Sequence, residues 1–164
     1  DDILDITSPL VGDYSVFAAY RASGPSSYLF RNLGGATGEG GHRSNDRWYL
    51  AHDGAIAQSA SDHPDYQVVA NYQSVGTESV IYGNGVQLAT KTGTPSTANI
   101  GRLGRFVGGT PGTISEIVIF DTDQSVNRDA ITTDIATKYN IYSSLYFSPE
   151  GNTYSYNGTE YARP

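Results

Sequence analysis

Between Gly112 and Tyr142 the chain changes its apolar period once, from two to about four: GTISEIVIFDTDQSVNRDAITTDIATKYNIY. Ile114, Glu116, Val118 and Phe120 alternate with Ser115, Ile117 and Ile119. The first part is therefore a strand with apolar residues on both faces, expected to be covered on both sides. After Asp121, the residues Thr122, Asp123, Gln124 and Ser125 offer turn and N-cap chemistry, and Ile131, Ile135 and Tyr139 then recur every fourth residue as one stripe. That spacing predicts a helix over about Ser125–Tyr139. Its propensity is poor, because Ile131, Thr132, Thr133, Ile135 and Thr137 are β-branched and lose rotamer freedom in a helix. Docking must hold it: each buried isoleucine contributes about 1.5–3 kcal/mol, against a propensity deficit of roughly a few tenths per residue. Asp129 near the start and Lys138 near the end suit the helix dipole.

The rest of the chain reads as strands. Nineteen glycines, seven prolines and thirteen tyrosines in 164 residues favour many short strands joined by tight turns, in one domain spanning residues 1–164. Without cysteine there is neither a disulfide framework nor a thiolate metal site, so packing must supply stability. The formal charge is −7, with Lys91 and Lys138 the only lysines. No nucleic-acid partner is expected from that balance. Nor is membrane insertion, since no apolar run reaches the length of a span. The lack of methionine suggests a segment of a longer protein.

Taken in order, residues 1–12 are expected to enter as an irregular edge, broken at Ser8-Pro9. Tyr14–Ala22 is a strand with Val16, Ala18 and Tyr20 on one face and Phe17 and Ala19 on the other, and Tyr28–Arg31 is its expected partner. Asn32–Asp46 holds five glycines without apolar periodicity, a long loop of the sort that carries function. It contains neither G-x-G-x-x-G opening a helix nor G-K-[ST], so it is no phosphate cradle. Arg47–His52 is a strand, Asp53-Gly54 its turn, Gln58–Asp65 a polar loop, and Tyr66–Tyr72 another strand. Val80–Ala89 is a hairpin around Asn84-Gly85, since both turn residues tolerate positive φ.

Several of these segments carry a resemblance. Gly112, Ile114, Glu116 and Ile117–Phe120, followed by Lys138, Tyr139, Asn140 and Ile141, resemble the closing G-x-I-x-E strand and K-Y-[GN]-I helix end of laminin-G-like domains in the concanavalin A-like superfamily. YSVFAAYRA at Tyr14–Ala22, the Asn84-Gly85 hairpin (with Gly83 where the family has a larger residue) and Ile100-Gly101 are similar to its strands in the same order. The resemblance covers roughly Tyr14–Tyr142. It implies an all-β, two-sheet antiparallel jelly-roll sandwich with one short C-terminal helix. Related domains carry an F-D-G-x-x-D strand before the first one here, and this chain has none. The tyrosine-rich segment Thr153–Tyr161 is expected to fill that edge place.

A glycoside hydrolase needs two carboxylates flanking the scissile bond. The E-x-D-x-x-E strand of jelly-roll glucanases is absent, and Glu39, Glu78, Glu116, Glu150 and Glu160 are scattered. Tyr146–Tyr154 bears a superficial likeness to an alginate-lyase strand, but the arginine-rich and histidine strands that such lyases need are missing. His42, His52 and His63 have no metal-ligand spacing. Asp121, Asp123 and Ser125 match the first ligand positions of an EF-hand loop, yet Val126 and Thr132 occupy its glycine and glutamate positions. A capping turn is the simpler reading. No cofactor is expected, although calcium at a loop rim stays open, because laminin-G-like domains sometimes bind it there.

Sugar binding needs a flat apolar ring against the pyranose C–H face and planar polar groups for its hydroxyls. The densest such cluster is His42, Arg43, Asn45, Asp46, Arg47, Trp48 and Tyr49. Trp48 is either a core residue or a ligand platform, and alternation points it to the opposite face from Tyr49. The resemblance implies a non-catalytic carbohydrate-binding or adhesion domain, extracellular on a phage particle or bacterial surface, with a surface glycan or polysaccharide as partner. The alternatives are a structural decoration or spacer domain contacting only other subunits of a viral or cell-surface assembly, and then a polysaccharide lyase or glucanase.

Overall fold

The computed structural model describes residues 4–22, 27–31, 39–42, 47–52, 55–62, 67–93, 99–106, 112–141, 146–147, 153–156 and 159–162. In chain order the strands are β1 (Leu4–Val11), β2 (Tyr14–Ala22), β3 (Ser27–Arg31), β4 (Glu39–His42), β5 (Arg47–His52), β6 (Ala55–Asp62), β7 (Val68–Val75), β8 (Glu78–Gly83), β9 (Val86–Thr92), β10 (Asn99–Phe106) and β11 (Gly112–Phe120). Helix α1 (Arg128–Lys138) follows, then β12 (Tyr146–Phe147), β13 (Thr153–Tyr156) and β14 (Thr159–Ala162). A six-stranded sheet runs β1-β10-β3-β4-β5-β6 and a five-stranded sheet runs β11-β2-β7-β8-β9. Every pairing is antiparallel. The fold is the expected two-sheet jelly-roll sandwich with one short helix.

Alternation along β2 explains the layering. Val16, Ala18 and Tyr20 face inward and join Phe30, Trp48, Leu50, Tyr72 and Ile81 in the inter-sheet core. Its rings meet edge to face: Tyr14–Phe30 at 5.9 Å, Phe30–Tyr72 at 5.6 Å and Tyr20–Trp48 at 6.4 Å between centroids. The buried hydroxyls of Tyr20 and Tyr72 are 2.9 Å apart and satisfy one another. Two glycines make room. A Cβ at Gly40 would lie 2.1 Å from Phe30 Cζ, and one at Gly83 would lie 2.8 Å from Trp48 Cζ2. Glycine at position 83 leaves the space that the indole fills.

The outward residues of β2, Phe17 and Ala19, form a second cluster with Val69, Ile135, Ala136 and Ile141, against which Val118, Phe120, Ile131 and Tyr139 pack. Helix α1 therefore lies on the outer face of the five-stranded sheet, and β11 is covered on both sides as its pattern required. A register shift between Ile114 and Glu116 breaks the period of two. Ile114 joins Ile117 and Ile119 on the inter-sheet side. Glu116 turns toward the helix, where Lys138 Nζ donates to its Oε1 at 2.7 Å. Tyr139 Oη donates to the Ser115 carbonyl at 3.1 Å. Asn140, at φ 55°, reverses the chain. Asn140 N then bonds Thr137 O at 3.2 Å and Ile141 N bonds Ala136 O at 2.7 Å, the paired bonds of a Schellman end. Each letter of the K-Y-N-I string has a physical task.

Four expectations are corrected. The N-terminal segment is an edge strand, β1, paired with β10, and the expected irregularity is confined to a register shift between Asp5 and Leu10 that holds Ser8-Pro9, where a missing N–H is tolerated. β3 pairs with β10 and β4 in the opposite sheet from β2. The expected loop at Gln58–Asp65 is largely strand β6. Its inward residues Ala57 and Ser59 are too small to give an apolar signal. The tail segment does not complete the sandwich edge, which β1 already occupies: β12, β13 and β14 form a three-stranded sheet of their own.

The helix is also shorter at its start than expected. Asn127 is the N-cap, without a side-chain cap bond. Asp123 Oδ1 instead accepts from Ser125 N at 2.8 Å and from Ser125 Oγ, closing a turn ahead of the helix.

Candidate functional site

The two outer faces of the sandwich differ in chemistry. On the five-stranded sheet, Ser15 Oγ donates to Thr122 O at 3.2 Å and accepts from Gln124 N at 3.1 Å, fixing the turn before α1. Farther along, Arg128 stacks over the Tyr82 ring at 4.2 Å. Between them lie Asn71 and Gln73, 1% and 4% exposed, with Asn71 Oδ1 and Gln73 Nε2 buried and unpartnered.

On the six-stranded sheet, register sets the outer face, because directly opposite residues share a side. Tyr28 pairs with Gly41, Gly41 with Tyr49, and Tyr49 with Gln58. One row over, Asp5 pairs with Arg102, Arg102 with Arg31, and Arg31 with Glu39. A shift between Tyr28 and Phe30 lets Leu29 and Phe30 both face the core, leaving Tyr28 and Arg31 facing out. This face therefore carries phenols, an amide and guanidinium groups side by side. Tyr49 and Ala51 on β5 are buried, whereas Ile56 and Gln58 on the adjoining edge strand are exposed.

The arginines are placed unequally. Arg102 donates through Nε to Asp5 Oδ1 at 2.5 Å and through Nη2 to Asp5 Oδ2 at 3.1 Å, a bidentate pair. That hydrogen bond holds the Asp5 carboxyl below its ordinary range and raises the guanidinium of Arg102. Arg31 is half-buried, and its Nε is buried with no hydrogen-bond partner.

Of the cluster expected from sequence, Arg43, Asn45 and Asp46 lie outside the described residues. His42 sits in β4, paired with Trp48. Arg47 opens β5, exposed and paired with Asp62. Tyr49 lies on the outer face. Trp48 resolves to the core: it is 3% exposed and packs against Tyr20 and Gly83, so its ring cannot cover a sugar. Its backbone N donates to Ser59 Oγ at 3.2 Å. Sequence reasoning missed Tyr28, Arg31, Gln58 and Arg102. No local motif joins them, because strand pairing brings together residues far apart in the chain. Among the described residues, no group of three or more His, Asp or Glu side chains is placed to hold a metal ion.

No family model and no curated protein matches the sequence. Among solved structures, a Trypanosoma rangeli sialidase in complex with sialic acid has a TM-score of 0.52 at 14% identity, over 76% of this chain and 23% of that one. An alginate lyase of polysaccharide lyase family 7 has a TM-score of 0.49 at 12% identity, over 66% of this chain and 59% of that one. Sheep galectin-11 in complex with glycerol has a TM-score of 0.39 at 9% identity, over 73% of this chain and 95% of that one. At these identities the sialidase likeness is one of fold, and this chain spans 23% of that protein's length.

Proposed function

We propose that this chain is a non-catalytic carbohydrate-binding or adhesion domain of laminin-G-like type, displayed outside the cell on a phage particle or bacterial surface. The observation that carries the reading is the outer face of the six-stranded sheet, where the half-buried Tyr28, Arg31 and Arg102 and the exposed Gln58 lie on one side of the sheet, around a buried Gly41–Tyr49 pair. Aromatic faces beside planar hydrogen-bonding groups are what pyranose recognition requires. The non-catalytic part is supported by three of the described carboxylates being engaged in structural contacts: Glu116 with Lys138, Glu78 with Thr90 Oγ1 at 2.8 Å, and Asp5 with Arg102.

A glycan array probed with the whole chain, with and without calcium, tests this. The expected result is binding to a saccharide class that Tyr28→Ala and Gln58→Ala weaken while the melting temperature holds. Binding to no glycan, or binding that both substitutions leave intact, would contradict it.

A second reading has one observation in its favour. Phe147, Tyr154 and Tyr161 are successive register partners across the β12-β13-β14 sheet, which is separate from the two sheets of the sandwich. That suits a decoration or spacer domain contacting other subunits. Assembly into defined oligomers without glycan binding would favour this alternative.

A further inference from the structure

Resting on the glycan reading, we infer that the outer face of the six-stranded sheet takes an acidic saccharide, with a ligand carboxylate seated on Arg31. The chain carries a net charge of −7 and ten basic residues, yet Arg31 and Arg102 are directly opposite one another on β3 and β10. Like charges in that position repel. Asp5 compensates Arg102 from the β1 side. Nothing among the described side chains does the same for Arg31, whose Nε is buried and unpartnered. A buried donor on a charged group is costly to leave unsatisfied. An incoming anion would satisfy it and separate the two guanidinium charges.

The Asp5–Arg102 pair shows how a carboxylate sits on this face, with two oxygens against the Nε and Nη2 donors. An equivalent carboxylate on Arg31 would place the rest of a sugar ring along β3 toward the half-buried Tyr28. A phenol ring and a bidentate guanidinium on one strand match the apolar C–H face and the acid group of one acidic residue. Glu39 is the register neighbour of Arg31 on its other side, and it sets the competing explanation: a purely structural Arg31–Glu39 pair.

Affinity of the whole chain for polygalacturonate, dextran sulfate and neutral dextran, measured by titration calorimetry at low and physiological salt, separates these cases. The expected result is binding to polygalacturonate that weakens with salt, falls at least tenfold in Arg31→Gln, and falls less in Arg102→Gln. Arg31→Lys should recover part of it, since a point charge replaces a fork. Glu39→Gln should leave binding equal or tighter. Melting temperatures of all variants are read alongside, so that loss of fold is not mistaken for loss of binding.

Neutral dextran bound as well as polygalacturonate, with Arg31→Gln silent, would overturn the acidic assignment and leave the carbohydrate reading standing. Tighter binding of dextran sulfate than of polygalacturonate would move the ligand to sulfated saccharides and overturn the carboxylate assignment. If Arg31→Gln and Glu39→Gln both lower the melting temperature and neither changes affinity, Arg31 is a structural partner of Glu39 and the inference fails. Binding to none of the three probes also overturns it, and failure on the full glycan array would then overturn the underlying reading too.

Discussion

The outer faces of the two sheets are finished in opposite ways. Over β11, β2 and β7 the five-stranded sheet is closed by α1, with Phe17, Ala19, Val69, Ile135 and Ala136 buried between them and the Glu116–Lys138 and Tyr139–Ser115 bonds fastening one end. Over β10, β3 and β4 the six-stranded sheet keeps Tyr28, Arg31 and Arg102 partly exposed. The helix covers one face; on the other, Tyr49 and Ala51 are buried while Tyr28, Arg31 and Arg102 keep part of their surface. The acidic turn at Asp121 and Asp123 belongs to the closed face, where Asp123 is occupied by Ser125.

The largest effect should come from alkali, which attacks the inner layer that both faces share. Burial holds the phenols of Tyr14, Tyr20 and Tyr72 above the ordinary tyrosine value. In the unfolded chain they ionise near pH 10, so that state loses protons first. Stability is full below about pH 10 and falls as pH rises toward the folded values. Tyrosinate absorbance should show these three ionising only as the sandwich unfolds.

Next, Trp48→Ala should cost about 3–5 kcal/mol in denaturant unfolding. A variant that kept its stability and lost only glycan binding would return Trp48 to the ligand face. Ile135→Ala on the closed face should cost about 2–5 kcal/mol and leave ligand affinity unchanged. Gln73→Met, which removes a buried amide nitrogen without a hydrogen-bond partner from the same face, should be neutral or stabilise by about 1 kcal/mol.

The smallest effect belongs to Lys138→Ala. Its ion pair lies at the solvent edge, with the two side chains 54% and 24% exposed, and salt screens such pairs. The Glu116 hydrogen bond raises the Lys138 ammonium, so its contribution is present below the unfolded lysine value and is lost as pH rises through the folded one. Thermal melting at low and high salt should show a small difference between wild type and variant that vanishes in salt.

The closed face was legible in the sequence and most of the open face was not. Phe17 and Ala19, Val118 and Phe120, and the Ile131–Ile135–Tyr139 stripe are local patterns whose period names the partner surface. Asn84-Gly85 was equally direct, because its turn needs positive φ at both residues, found at 49° and 81°. By contrast, Arg31 meets Arg102 only through the β3–β10 register, a pairing between strands distant in sequence. The bulge at Ile114–Glu116 has no local signature, since Ser115 fits either phase of the alternation. Trp48 stays open between core residue and ligand platform in the sequence, because tryptophan beside polar residues suits both roles. Gly83 was the one clue that its ring was spoken for.

The most direct test is amide chemical-shift mapping of the isotope-labelled chain titrated with a polygalacturonate oligomer. Shifts are expected along β3, β4 and β10, centred on Tyr28, Arg31 and Arg102, with Phe17, Val69, Phe120 and Ile135 unmoved. Shifts centred on α1 and its sheet, with the six-stranded face silent, would contradict the assignment of closed and open faces.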